Sequence, residues 1–204
     1  MLRRLLQLYI GLVLYGVSTA LFVHANLGAD PWDVFHLGVA KQLGISFGTV
    51  IILTGAAVLL LWIPIRQMPG LGTVSNVIVL GLAADATLAV LPPLESMVAR
   101  SALLAGAIVL NAIATGMYIG AAFGPGPRDG LMTGLHARTG WSLRGIRTAI
   151  ELSVLLIGWL LGGKFGVGTV IYALSIGPLI QLCLPWFSQP VSRNAVSPPR
   201  EIVS

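Results

Sequence analysis

Long apolar runs alternate with short polar breaks along this chain. Residues 7–27, 46–65, 71–92, 102–123, 145–161 and 167–186 are almost wholly apolar, each close to the ~20 residues a helix needs to cross ~30 Å of hydrocarbon. They predict six membrane-spanning helices. Two shorter segments, 31–43 and 127–139, follow the first and fourth runs and carry Asp33, His36 and Lys41, and Asp129, His136 and Arg138. As helices of about 1.5 Å rise per residue they reach only about 20 Å, which suits an interface or a protein-lined cavity better than a crossing. Each is entered through a Gly/Pro break, Gly28-Ala29-Asp30-Pro31-Trp32-Asp33 in one case and Gly124-Pro125-Gly126-Pro127-Arg128-Asp129-Gly130 in the other.

The pattern occurs twice. Displacing the chain against itself by 96 positions aligns residues 8–88 with 104–184 without a gap, and 20 of the 81 pairs are identical. The matches fall where backbone geometry is demanding: Gly28 with Gly124, Pro31 with Pro127, Asp33 with Asp129, Gly44 with Gly140, and Gly70-Leu71-Gly72-Thr73-Val74 with Gly166-Val167-Gly168-Thr169-Val170. The expected fold is therefore an all-α integral membrane protein of two tandem repeats, residues 1–98 and 99–187, each with three spanning helices and one short broken helix. Residues 188–204 form a polar tail expected to be disordered and cytoplasmic. An odd number of spans per repeat makes the copies inverted, a recurrent transporter plan. If the short segments also cross, the alternative is eight spans in parallel repeats.

Charge does not separate the two models. With both termini in the cytoplasm, six spans place Arg3, Arg4, Arg66, Arg128, Arg138, Arg144, Arg147, Arg193 and Arg200 inside, and Lys41, Arg100 and Lys164 outside. That satisfies the positive-inside rule. Eight spans also give nine against three. The N-terminus resembles a signal peptide, but residues 103–121 repeat it internally, so it reads as an uncleaved first span.

Composition agrees with the pattern. The 204 residues are 56% hydrophobic and 9% charged, with a mean hydropathy of +0.90, too few charges to clothe a soluble domain. The net charge of +5 is scattered between apolar runs and forms no basic stripe for nucleic acid. The single cysteine, Cys183, excludes an intrachain disulfide. His24, His36 and His136 lack metal-ligand spacing, and no nucleophile or HExxH pattern appears. Neither a cofactor nor an enzyme is expected.

The remaining chemistry is a set of acids at membrane depth. Asp33 and Asp129 sit in the first turns of their short helices, where they serve as caps or face each other as one site for a cation, a proton or an amine. Asp85, with Gln181 as its repeat mate, lies inside the third run, where an ionised carboxylate must be paired, protonated or wet. Glu151 lies one turn from Arg147, an arrangement that suits an internal salt bridge as well as a site. Arg128 completes the set of substrate- or ion-binding candidates. Gly28, Pro31, Gly70, Gly72, Gly124, Gly126, Pro127, Gly166 and Gly168 are hinge and close-packing positions.

At the two Gly/Pro breaks and at Gly70-Leu71-Gly72-Thr73 the sequence resembles the YczE/YitT-type bacterial membrane proteins, particularly the YczE-like branch, over residues 8 to about 186. The resemblance implies a multi-pass protein of the cytoplasmic membrane. The first break carries Asp30 and Trp32 where the second has Gly126 and Arg128, so the copies need not do equal work. Two functions remain open. One is a small secondary transporter or permease, coupled to a proton or cation and acting alone or as a homodimer; the other is a scaffold stabilising a membrane partner.

Overall fold

A computed structural model describes residues 1–188, which form eight helices and, among the described residues, no strand. These are α1 (Leu2–Ala25), α2 (Pro31–Leu43), α3 (Phe47–Ile65), α4 (Leu71–Val90), α5 (Met97–Gly120), α6 (Pro127–Thr139), α7 (Leu143–Leu160) and α8 (Val167–Phe187). The tail from 189 to 204, expected to be disordered, lies outside the described residues. Helices α1, α3, α4, α5 and α8 are long and apolar enough to cross a membrane. α7, which carries Arg144, Arg147 and Glu151, is not among them. α2 and α6 begin 96 residues apart, as do α3 and α7, and α4 and α8.

α1 and α5 form the central pair, and both start earlier than the apolar runs because each takes in an arginine. Arg4 donates from Nε to the Ala121 carbonyl and from Nη2 to that of Ala122, both at 3.0 Å. Arg100 does the same to Ala25 and Asn26, at 2.7 Å each. Each guanidinium thus satisfies carbonyls that the end of the other helix leaves unpaired. The two helices are therefore antiparallel. The seam between them agrees: Leu8 and Leu12 pack on Tyr118 and Ala121, Asn111 donates to Ser18 at 2.9 Å, and Phe22 and Ala25 pack on Leu104 and Ala107.

α4 lies along α1, and α8 along α5, through small residues that let backbones approach. Gly16 faces the Leu80 carbonyl and Ala84, while Gly116 and Gly120 face Cys183 and Phe187. Cys183 is buried in this second seam beside Ala112 and Ile176.

The breaks before α2 and α6 reach across to the other half of the molecule. Gly28 (φ 113°) and Gly124 (φ 116°) adopt a backbone that a side chain would strain. Gly168 N–H donates to the Leu27 carbonyl at 2.8 Å, and Gly72 N–H to that of Phe123 at 2.9 Å. A Cβ at Gly70 would meet the Phe123 carbonyl, and one at Gly166 that of Leu27. These glycines therefore serve as docking surfaces for the opposite break.

From its break each short helix starts inside the molecule and returns to the end it came from. Lys41 near the close of α2 borders the same groove as Phe22 and Asn26 at the close of α1, together with Gly162 and Lys164. α2 packs on Gly158 and Gly163 of the α7 end. α6 packs on the close of α3, where the Trp62 indole donates to the Pro127 carbonyl at 3.0 Å and lies flush against Gly130.

Candidate functional site

The first turns of α2 and α6 meet inside the molecule, and what the sequence places there is charge. Pro31 and Pro127 occupy the first helical position of each, pre-setting φ where a missing N–H costs nothing. Asp30 is the N-cap of α2, its carboxylate accepting from Asp33 N–H at 2.7 Å. The corresponding cap of α6 is Gly126, which has no side chain to offer.

Arg128 crosses from α6 to the acids of α2. Its Nη1 stands 3.3 Å from Asp30 Oδ2 and its Nη2 3.9 Å from Asp33 Oδ1. The guanidinium also lies 4.8 Å over the indole of Trp32, a cation–π contact that strengthens when desolvated. Trp32 and Arg128 are positions 96 apart, so equivalent points of the two halves touch here. His36 Nδ1 lies 3.3 Å from Asp33 Oδ1, with Trp32, Phe35 and Phe47 around its ring. Asp33 is 1% exposed, and its Oδ2 has no hydrogen-bond partner among the described residues; nor has Trp32 Nε1. Buried polar atoms left unpaired are costly.

Beside this cluster is a cavity of about 120 Å³. Asp30, Trp32, His36, Arg128 and Asp129 line one part of it, Tyr15, Tyr118, Tyr172, Arg147 and Glu151 another, and mostly apolar residues of α3 and α4, with Thr54, much of the remainder. Asp129 accepts from the Tyr118 hydroxyl at 2.9 Å. Arg147 and Glu151 pair at 2.9 Å. Tyr172 donates to Asn111 at 3.3 Å, which in turn ties α8 to the α1–α5 seam. Among the described residues there is no cluster of three metal-type ligands.

Of the candidates, Asp129, Arg128 and Glu151 line the cavity, and Asp33 stands directly behind it. Asp85 is elsewhere: it accepts from Ser46 Oγ at 2.5 Å and from Gly48 N–H at 2.7 Å, holding α4 to the start of α3. Asp30 and Trp32 stood out in the sequence only as a divergence between the two breaks, and the three tyrosines not at all. A signal for Asp30 existed in the divergence of the breaks, where one half has an extra acid and the other an extra base two positions on. The tyrosines could have been flagged as amphipathic rings inside apolar runs, where a buried hydroxyl needs a partner.

The long apolar helices define a helical membrane protein. A family model described as "Family of unknown function (DUF6198)" matches residues 2–185. An uncharacterized protein of Haemophilus influenzae is 38% identical over 177 residues, 87% of this chain and 81% of the relative. The uncharacterized membrane protein YczE of Bacillus subtilis is 30% identical over 179 residues, covering 87% and 83%. YyaS, an uncharacterized protein of the same organism, is 23% identical over 180 residues, covering 86% and 90%. No solved structure matches. The chain belongs to the YczE-like family of membrane proteins.

Proposed function

We propose that this protein is a small secondary transporter, proton- or cation-coupled, whose solute binds in the cavity between the starts of α2 and α6. The observation that carries this reading is the cavity itself. Acids, arginines and tyrosines are gathered there at the interior ends of two broken helices, a place where burying charge is expensive without a use for it.

On this reading the halves are inverted repeats with six spans, α7 being the sixth, and α2 and α6 dip in without crossing. The antiparallel run of α1 against α5 supports inversion, since parallel repeats would set these equivalent helices in the same direction. Their charged ends support the orientation. Arg3, Arg4, Arg66, Arg138 and Arg144 fall at the end where α1 begins, and Lys41, Arg100 and Lys164 at the other. The positive-inside rule then puts the N-terminus in the cytoplasm. On a Cys183→Ser background, Lys164→Cys should react with an impermeant thiol reagent from outside the cell, and Met68→Cys only in inverted vesicles.

A transporter must expose its cavity to both sides in turn; a scaffold need not. Thr54 lines the cavity, so Thr54→Cys on the same background reads this directly without knowledge of the solute. We expect impermeant reagents to label it from either face of the membrane. Labelling from one face only would remove alternating access and leave the scaffold reading.

A further inference from the structure

Resting on that reading, we infer that the solute is a small organic cation, an ammonium that pairs with Asp129 beside the aromatic rings of the cavity.

The argument begins with the balance of charge. Four carboxylates, Asp30, Asp33, Asp129 and Glu151, stand in or against the cavity with two guanidiniums, Arg128 and Arg147. Asp30, Asp33 and Arg128 form one cluster, and Glu151 pairs with Arg147. Asp129 is the cavity carboxylate left without a cationic side chain beside it among the described residues. A cation meets it; an anion would face a like charge.

The position of that charge follows from the pairing. Arg128 is engaged by Asp30 and approaches Asp33, and Arg147 is engaged by Glu151. Asp129 forms no ion pair among the described residues. It lines the cavity and, among the described residues, accepts only the Tyr118 hydroxyl. Such a carboxylate, fixed by one donor and open on its remaining lone pairs, is an acceptor for ammonium N–H groups.

Two further features separate an organic cation from a metal ion. Four aromatic side chains, Tyr15, Trp32, Tyr118 and Tyr172, stand in the cavity wall, and aromatic faces attract alkylammonium groups. Carboxylate–carbonyl cages suit hard metal ions better. The cavity of about 120 Å³ is several times the share of one liquid water, about 30 Å³, which suits a solute of a few heavy atoms.

The test uses the purified full chain and follows thermal unfolding and tryptophan fluorescence. It titrates ethanolamine and N-methylethanolamine against sodium chloride, sodium acetate and phosphate at equal ionic strength. We expect saturable stabilisation by one or both ammonium compounds and none from the salts, as binding linkage requires. Asp129→Asn should weaken ammonium binding about tenfold, the cost of losing a charged hydrogen-bond partner. Asp129→Glu should retain part of it. The wild-type comparison decides the charge class even if a variant fails to fold. Saturable binding of acetate or phosphate, binding of sodium alone, ammonium binding unchanged in a folded Asp129→Asn, or no binding at all would each overturn the inference. The transport reading falls separately: it fails if Thr54→Cys labels from one face only, whatever binds.

Discussion

Arg128 holds the interior together at the scale of single residues. Asp30 and Asp33 are buried, and this guanidinium is their cationic neighbour at 3.3 and 3.9 Å, stacked on Trp32 as it reaches them. Removing one partner of a buried ion pair strands the other, at a cost of about 3–5 kcal/mol. Arg128→Gln should therefore lower the denaturation midpoint sharply. Asp30→Asn in the same chain should restore part of the loss, a coupling that a double-mutant cycle measures. Independent costs that simply add would mean the pair does not carry stability. Gly130 makes a different demand, for space. A Cβ there would run into the Trp62 ring, which is held in place by its bond to the Pro127 carbonyl. Gly130→Ala should destabilise by about 1–3 kcal/mol, as overpacking does, and Trp62→Leu should relieve it in part.

Among the elements, the breaks before α2 and α6 bind the two halves to each other, and they do so unequally. At the start of α4, the Thr73 hydroxyl accepts from Gly70 N–H at 3.1 Å and donates to the Pro125 carbonyl at 2.7 Å. At the start of α8, Thr169 accepts from Gly166 N–H at 3.4 Å, and no carbonyl among the described residues accepts from it. Thr73→Val, isosteric but without the hydroxyl, should then cost about 1–3 kcal/mol and Thr169→Val clearly less. Equal losses in thermal unfolding would show that the seams are equivalent in solution. The elements themselves were largely legible in the sequence. Apolar length set α3, α4 and α8 to within about two residues, and the Gly/Pro breaks set both ends of α2 and α6. The early starts of α1 and α5 were not, because Arg4 and Arg100 read as loop charges until the helix end that accepts from them is known. Nor was the Asp30–Arg128 contact, since these are not equivalent positions and only the crossing of the two breaks brings them together. Asp85 was grouped with the site acids because composition shows that a residue is polar and within a span, whereas its depth along α4 decides what it touches.

Across the whole molecule one seam of the first half has no close counterpart among the described residues of the second, and the difference has a direction. α4 packs closely on α3, with Gly48 against Gly81 and Asp85 closing the joint at Ser46 and Gly48. The corresponding pair, α7 and α8, does not pack in this way among the described residues, and Gln181 stands where Asp85 would. On the inverted-repeat reading the α3–α4 joint lies at the end away from the N-terminus, and the looser α7–α8 side at the cytoplasmic end. The conformation described is then open to the cytoplasm, and exchanging the states of the two seams would open the cavity outward. Asp85 acts in this scheme as a latch on the closed side, accepting two hydrogen bonds through a carboxylate, together about 2–3 kcal/mol. Asp85→Ala should shift the population toward the outward-open form by about tenfold or more. The readout is the rate at which an impermeant reagent labels Thr54→Cys from outside. An increase on adding Asp85→Ala, with slower labelling from the cytoplasmic face, is the expected result. Equal acceleration from both faces would instead indicate a loosened fold, and no change would mean that Asp85 caps α3 without controlling access.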